Sequence, residues 1–414
     1  MPPMNSSPGG GSAARVLSGM RPTGQLHLGN YHGALRNWVS LQERFACFFF
    51  VADWHALTTD YDDTSQLQKH VQEMVVDWLA AGLDPERATI FVQSQVPGHA
   101  ELHLLLSMIT PLGWLERVPT YKDQQAQLKE KDLATYGFLG YPLLQSADIL
   151  IYRPGFVPVG EDQVAHVELT REVARRFNHK FGQDPQFAAK VKQALGRLEP
   201  AQRTLYQSLL RRYQENGDHA ALGEARALVT GGAGLDSAGR ELLLAKLEGD
   251  HHQLLPAPEV LLTPTPRVPG LDGRKMSKSY GNTIGLTEAP ESVARKIKGM
   301  TTDPARVRRT DPGDPEKCPV WDLHKLYSGA EVRAWVEQGC RSAGIGCLEC
   351  KQPVIERISA ESTAMRERAQ PYLTHPGRVR QILAVGRVKA QAAAEETLQV
   401  VREAMHLATE GSHS

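Results

Sequence analysis

The chain has 414 residues with 41% apolar side chains, enough for two or three domains with real cores, which excludes disorder throughout. Lys plus Arg and Asp plus Glu number 47 each, so no global positive field marks a nucleic-acid partner and RNA contact must rest on local basic patches. The longest apolar run, Cys47 to Ala52, is too short to span a bilayer, and five cysteines without a secretory signal point to a reducing compartment, the cytoplasm.

Residues 1–14, rich in Pro, Ser and Gly, read as a disordered tail. Val16 to Ser18, then Gly19, Pro22 and Gly24, then Tyr31, Leu35 and Trp38 at helical spacing, read as strand, glycine loop, helix. CFFFVA at 47–52 is the next strand, followed by a helix with the stripe Leu67, Val71, Met74, Val75, Trp78 and Leu79, ending at Gly82. TIFV at 89–92 and ILIY at 149–152 read as further strands, and a helix is expected from about Asp162 to Phe177. Continuous apolar strands alternating with amphipathic helices predict an α/β fold, a Rossmann-type parallel sheet covered on both faces, occupying 15–180 and resuming at 257–290. Between these parts, 181–256 changes texture to Ala, Leu, Gln and Arg and reads as a helical insertion with two helices and the loop GGAG at 231–234. Stripes such as Val332, Trp335 and Val336 predict a helical C-terminal domain over 291–414.

Two short motifs carry the chemistry. MRPTGQLHLGNYHG at 20–33 stands where a strand turns into a helix. Glycines there let backbone N–H groups approach a phosphate, and the helix N-terminus adds a positive dipole. His27 and Asn30, in the first turn, are placed to donate hydrogen bonds to a phosphate as charge develops on it. The same glycines would also serve a plain strand–helix turn. The second motif, GRKMSKSYGN at 273–282, sets Lys275 and Lys278 on a polar, glycine-flanked loop, where mobile ammonium groups suit a departing pyrophosphate; taken alone it reads equally as solvated surface.

HLGN resembles the HIGH motif, and KMSKS is identical to the second motif, of class I aminoacyl-tRNA synthetases; their order along the chain agrees as well. The resemblance implies that the motifs close on ATP with Mg²⁺ and promote attack of an amino-acid carboxylate on the α-phosphate. The adenylate is then passed to the terminal adenosine of a tRNA. Asn30 replaces the final His of the family motif, a departure common in the tryptophan branch. His27, Asn30, Lys275 and Lys278 are the implied catalytic residues. Arg21, Pro22, Thr23, Gly29, Gly160, Glu161, Asp162, Val268, Met276, Ser277 and Ser279 complete the implied ATP contacts.

GYPLLQSADILIYRPGFVPVGEDQVAHVELTREVARRFN at 140–178 is similar to tryptophanyl-tRNA synthetases over nearly its whole length. The match implies that Asp148 accepts the indole N–H of L-tryptophan, with Tyr141, His55 and Gln163 around the ring and amino group. Without the flanking match, Asp148 would read as a helix or turn cap and His55 as a core histidine. The tyrosine branch, which shares fold and chemistry, is the nearer rival. A non-catalytic paralogue that binds tRNA or senses redox state is the more distant one.

Cys318, Cys340, Cys347 and Cys350 are spaced C-x21-C-x6-C-x2-C, a good metal-ligand arrangement. Some members of the tryptophan branch hold a [4Fe–4S] cluster on a nearly identical set, with a first gap one residue longer. From spacing alone, a Zn²⁺ site or free thiols remain open. Arg306, Arg308 and Arg309 form the clearest basic patch for tRNA(Trp), and the resemblance implies an anticodon-binding C-terminal region and a homodimer.

Overall fold

The structure, a computed structural model, describes residues 14–119, 134–182, 186–216, 218–231, 234–249, 253–263 and 268–407. The expected tail therefore lies outside the described residues up to residue 13, as do 232–233 of the GGAG loop and 266–267 of PRVPG. Five strands, β1 (Arg15–Met20), β2 (Ala46–Val51), β3 (Ala88–Val92), β4 (Phe156–Val159) and β5 (Glu259–Leu262), form one parallel sheet in the order β3-β2-β1-β4-β5. Successive side chains alternate between its faces. Val16, Phe49, Val51 and Ile90 join Trp38, Met74 and Trp78 on one side. Leu17, Phe48, Phe50 and Phe91 join Leu143, Val167 and Phe177 on the other. Both faces are covered, which is why these strands read as unbroken apolar runs.

The chain builds β1, β2 and β3 outward, then returns to place β4 on the other side of β1. That reversal opens a crevice beyond the carboxyl ends of β1 and β4, the place where open α/β sheets bind ligands.

ILIY is not a strand. Ile149 and Leu150 close the helix Tyr136–Leu150, Ile151 caps it, and the strand comes later as Phe156–Val159. The helical stripe Leu143, Ala147, Leu150 continues into this short apolar run, and such a run cannot be told from a buried helix end by periodicity. Asp148 thus sits in the last turn of a helix rather than ahead of a strand.

The 187–249 segment contains four helices, not two: Phe187–Gly196, Pro200–Asn216, His219–Gly231 and Ser237–Gly249. They enclose their own core of Phe187, Val191, Tyr206, Leu209, Val229 and Leu243. The C-terminal helices Cys347–Thr374 and Pro376–Ala404 share the sheet's core instead, Val354, Ile358 and Met365 on one side and Ala394 and Leu398 on the other. A Cβ on Gly386 would stand 1.8 Å from the Ile90 carbonyl oxygen, so the last helix lies directly against β3. Among the described residues no helix is long and apolar enough to cross a membrane.

Candidate functional site

The crevice at the switch point holds a cavity of about 350 Å³. Met20 and Arg21 enter it from the end of β1, Ala52 from the end of β2 and Val159 and Gly160 from the end of β4. A π segment, Tyr31–Leu35, brings Gly33 and Ala34 into its wall. All four expected amino-acid contacts, Asp148, Tyr141, His55 and Gln163, line it.

Asp148 is fully buried and accepts three short hydrogen bonds. His55 Nε2 donates to Oδ2 at 2.7 Å, while Gln93 Nε2 and His99 Nδ1 donate to Oδ1 at 2.7 Å each. Burial alone would raise this carboxyl, but the hydrogen bonds from His55 and His99 outweigh it and hold Asp148 well below the usual carboxylate range. Asp148 is therefore an ionised, acceptor-only group at neutral pH. Gln93 and His99 are functional-site residues that sequence reasoning missed: they follow β3 in QSQ and in the helix Gly98–Ser107, and no motif marks them.

At the other end of the crevice His27 caps the helix start. Its Nδ1 accepts the Gly29 N–H at 3.1 Å, and Asn30 Oδ1 accepts the His27 N–H at 3.1 Å, a reciprocal capping box. Burial, then the Lys278 charge, pushes the His27 imidazole down to about 4, so the ring is neutral at pH 7. With Nδ1 accepting, the proton sits on Nε2, which becomes the donor. Asn30 keeps its amide N–H groups for the same use. Gly29 is required here because a Cβ would lie 2.9 Å from the His27 ring.

The second motif closes over the first. Lys278 Nζ donates to the Thr23 carbonyl at 2.9 Å, and the Met276 side chain packs beside Gly29. Asn282, within the motif but given no role by the sequence, latches the loop: its Oδ1 accepts the Ser277 N–H at 2.8 Å and its Nδ2 donates to Asp272 at 2.7 Å. Lys275 is exposed, its backbone bridged to Pro269, and Ser279 is exposed as well. Pro22 is buried. The Val268 carbonyl accepts the Met276 N–H at 3.1 Å, so this backbone oxygen is already engaged by the loop. Glu161 is exposed in the short 3-10 turn Glu161–Gln163 that starts the helix Val164–Phe181; the Asp162 side chain lies outside the described residues.

Beneath this loop, Asp77 accepts the Leu26 N–H at 2.7 Å. Burial pushes its carboxyl up to about 7 against the pull of that bond and of Lys278. The folded chain thus binds a proton that the unfolded chain, with its ordinary value of 3.8, releases, so this contribution to stability falls as pH rises from about 4 to about 7 and is level above. Asp77→Asn keeps an acceptor for Leu26 and removes the buried charge. Its stability relative to the natural chain should therefore grow across that window in urea melts, and a pH-independent difference would refute this.

Cys318 caps the start of the helix Pro319–Tyr327, Cys340 stands near the end of Ala330–Arg341, and Cys347 and Cys350 lie in the first turn of Cys347–Thr374. Burial, then the neighbouring thiols Cys318, Cys340 and Cys347, pushes Cys350 up to about 12. Among the described residues, no group of three or more His, Cys, Asp or Glu side chains is placed to hold a metal ion. The basic patch is largely spent locally. Arg306 is buried and donates to the Ile345 carbonyl at 2.5 Å, and Arg309 donates to Ala343 and Gly344, clamping the turn before Cys347. Arg308 and Arg309 both keep exposed positions.

Fold and site together define an enzyme that activates a carboxylate on a nucleotide. A family model described as tRNA synthetases class I (W and Y) matches residues 11–203 and 237–361. A tryptophan–tRNA ligase of Ralstonia nicotianae is 62% identical over 393 residues, covering 95% of this chain and 98% of that protein. One of Thermotoga maritima is 43% identical, covering 95% and 99%. The crystal structure of tryptophanyl-tRNA synthetase from Campylobacter jejuni, complexed with ADP and tryptophan, superimposes with a TM-score of 0.71 at 28% identity, covering 95% of this chain and 100% of that one. The chain belongs to the class I tRNA synthetases of the tryptophan and tyrosine family, and it is an aminoacyl-tRNA ligase.

Proposed function

We propose that this ligase is specific for tryptophan: it activates L-tryptophan with ATP to tryptophanyl-adenylate and pyrophosphate, then transfers tryptophan to the 3′ end of tRNA(Trp). The observation that carries the reading is Asp148, a buried, ionised, acceptor-only group in the wall of the cavity, suited to take a ring N–H. Tyr141, His55 and Gln163 line the same cavity around the ring and amino group. His27 Nε2 and the Asn30 amide donate to the phosphates, and Lys278, with Lys275, follows the charge that develops on the departing pyrophosphate. Arg21, Pro22, Thr23, Gly29, Gly160, Glu161, Asp162, Val268, Met276, Ser277 and Ser279 are assigned to the ATP side by motif position. Mg²⁺ arrives with ATP, held by its phosphates.

The test is amino-acid-dependent ATP–pyrophosphate exchange with tryptophan, tyrosine and phenylalanine. Exchange driven by tryptophan alone is expected. Exchange with tyrosine would move the chain to the sister branch, and none with any amino acid would favour a non-catalytic paralogue.

Three finer assignments accompany this reading. Cys318, Cys340, Cys347 and Cys350 would hold a [4Fe–4S] cluster; the reading rests on their spacing and on the resemblance to the tryptophan branch, and among the described residues no metal-holding group is assembled. Protein purified without oxygen should contain stoichiometric iron and acid-labile sulfide, lost in Cys347→Ser; zinc, or neither metal, would refute it. The chain would act as a homodimer, supported by the exposed Leu104, Met108, Leu112 and Tyr136 beside the cavity's helices. Met108→Asp should then sediment as a monomer, whereas a monomeric natural chain would end the idea. The setting is the cytoplasm, with 181–256 as an inserted helical unit and the C-terminal helices reading the anticodon.

A further inference from the structure

Asp148 has about four acceptor positions on its two oxygens, and three are filled from the protein. His55 approaches from the cavity wall, whereas Gln93 and His99 do not line the cavity and reach the carboxylate from behind. His99 is completely buried, beside Phe50 and Phe91, and its second nitrogen, Nε2, lies 2.7 Å from the Tyr152 hydroxyl. Tyr152 is itself fully buried, so its phenol stays protonated and donates to Nε2. The His99 proton is thereby fixed on Nδ1 and aimed at Asp148 Oδ1.

We propose that His99, locked in this tautomer by the Tyr152 hydroxyl, is a specificity-determining positioning residue: it occupies the rear of the Asp148 carboxylate and leaves one acceptor position open to the cavity. The site then favours a ligand that brings a ring N–H to that position, because only such a ligand completes the set. The chain from Tyr152 through His99 to Asp148 bridges two elements: Asp148 and Tyr152 stand at the end of the helix Tyr136–Leu150 and in the turn that continues it, and His99 joins them from the helix Gly98–Ser107. Without the His99 donor, the carboxylate is free to rotate or to accept a buried water, and the vacancy it offers the ligand is no longer defined. This inference rests on the reading of Asp148 as the indole acceptor.

Discrimination between tryptophan and 3-benzothienylalanine, in which sulfur replaces the ring N–H, measures this directly through pyrophosphate exchange. In His99→Leu the ratio of kcat/KM for the two amino acids should fall about tenfold or more, through a raised KM for tryptophan with kcat little changed. His99→Asn, whose Nδ2 can stand where Nδ1 stood, should restore most of the ratio, and Tyr152→Phe should lower it less than His99→Leu does. A merely structural role would depress both amino acids equally and leave the ratio at its natural value; that result would overturn the proposal. Should His99→Leu fail to fold, as judged by its thermal transition, Tyr152→Phe decides alone: an unchanged ratio refutes the proposal. Asp148→Ala separates the two levels. If it leaves the ratio intact, the indole-acceptor reading itself fails; if it collapses the ratio while the His99 and Tyr152 variants do not, only this inference falls.

Discussion

Lys278→Ala is expected to slow tryptophan activation about a hundredfold or more, with a much smaller change in substrate affinity. The ammonium group already lies at the mouth of the phosphate side of the crevice, bonded to the Thr23 carbonyl 2.9 Å away, on a loop latched by Asn282. A phosphate arriving there offers a far stronger acceptor than a carbonyl, so Lys278 can exchange one for the other without the loop having to fold first. The gain appears as negative charge builds on the pyrophosphate, which is why the loss belongs in kcat rather than in KM. Lys275, exposed on the same loop, has farther to move, and Lys275→Ala should show the smaller of the two losses. Pre-steady-state measurement of adenylate formation checks both. Equal single-turnover rates in the natural chain and Lys278→Ala would remove Lys278 from the mechanism.

The parts of this design that were legible in the sequence are those written in local pattern. β2 and β3 announced themselves because strands covered on both faces are apolar almost throughout, and the helix Leu67–Ala81 ended where expected because Gly82 adopts a left-handed conformation, φ +112°, that a glycine accepts readily. HLGN and KMSKS sit 245 or more residues apart yet meet, as the Met276 side chain beside Gly29 shows. Only the family resemblance foretold that meeting. ILIY was misread because burial, not alternation, set its composition. Arg306 looked like part of a surface for RNA because composition records charge but not direction; its guanidinium is buried against the Ile345 carbonyl, whereas Arg309 bonds the carbonyls of Ala343 and Gly344 while staying exposed. His99 and Gln93 were invisible for a related reason. They serve Asp148 from 49 and 55 positions away, and a single buried histidine or glutamine leaves no periodic trace.

Asp148→Asn should reduce kcat/KM for tryptophan about a thousandfold or more, the larger of the expected effects on specificity. The substitution preserves shape but converts an acceptor-only group into one that must also present an N–H₂. Three donors from His55, Gln93 and His99 converge on the carboxylate, so whichever way the new amide turns, its own donors face another donor. The ligand's ring N–H then competes for a single remaining carbonyl oxygen. Stability should fall as well, because buried donors left without partners cost about 1–3 kcal/mol each. The pH dependence separates the two losses. Asp148 titrates below the ordinary carboxylate range when folded, so the stability it contributes is complete above the unfolded value near 4 and decays only as pH falls through the lower folded value. Asp148→Asn should therefore be weakened relative to the natural chain at neutral pH by an amount that shrinks in acid, while its defect in tryptophan activation persists at every pH at which it is folded. Melting followed from neutral pH down to about pH 2, with exchange measured wherever the chain is folded, tests this, and a variant that binds tryptophan normally while melting early would show Asp148 to be a strut of the core rather than the acceptor for the substrate.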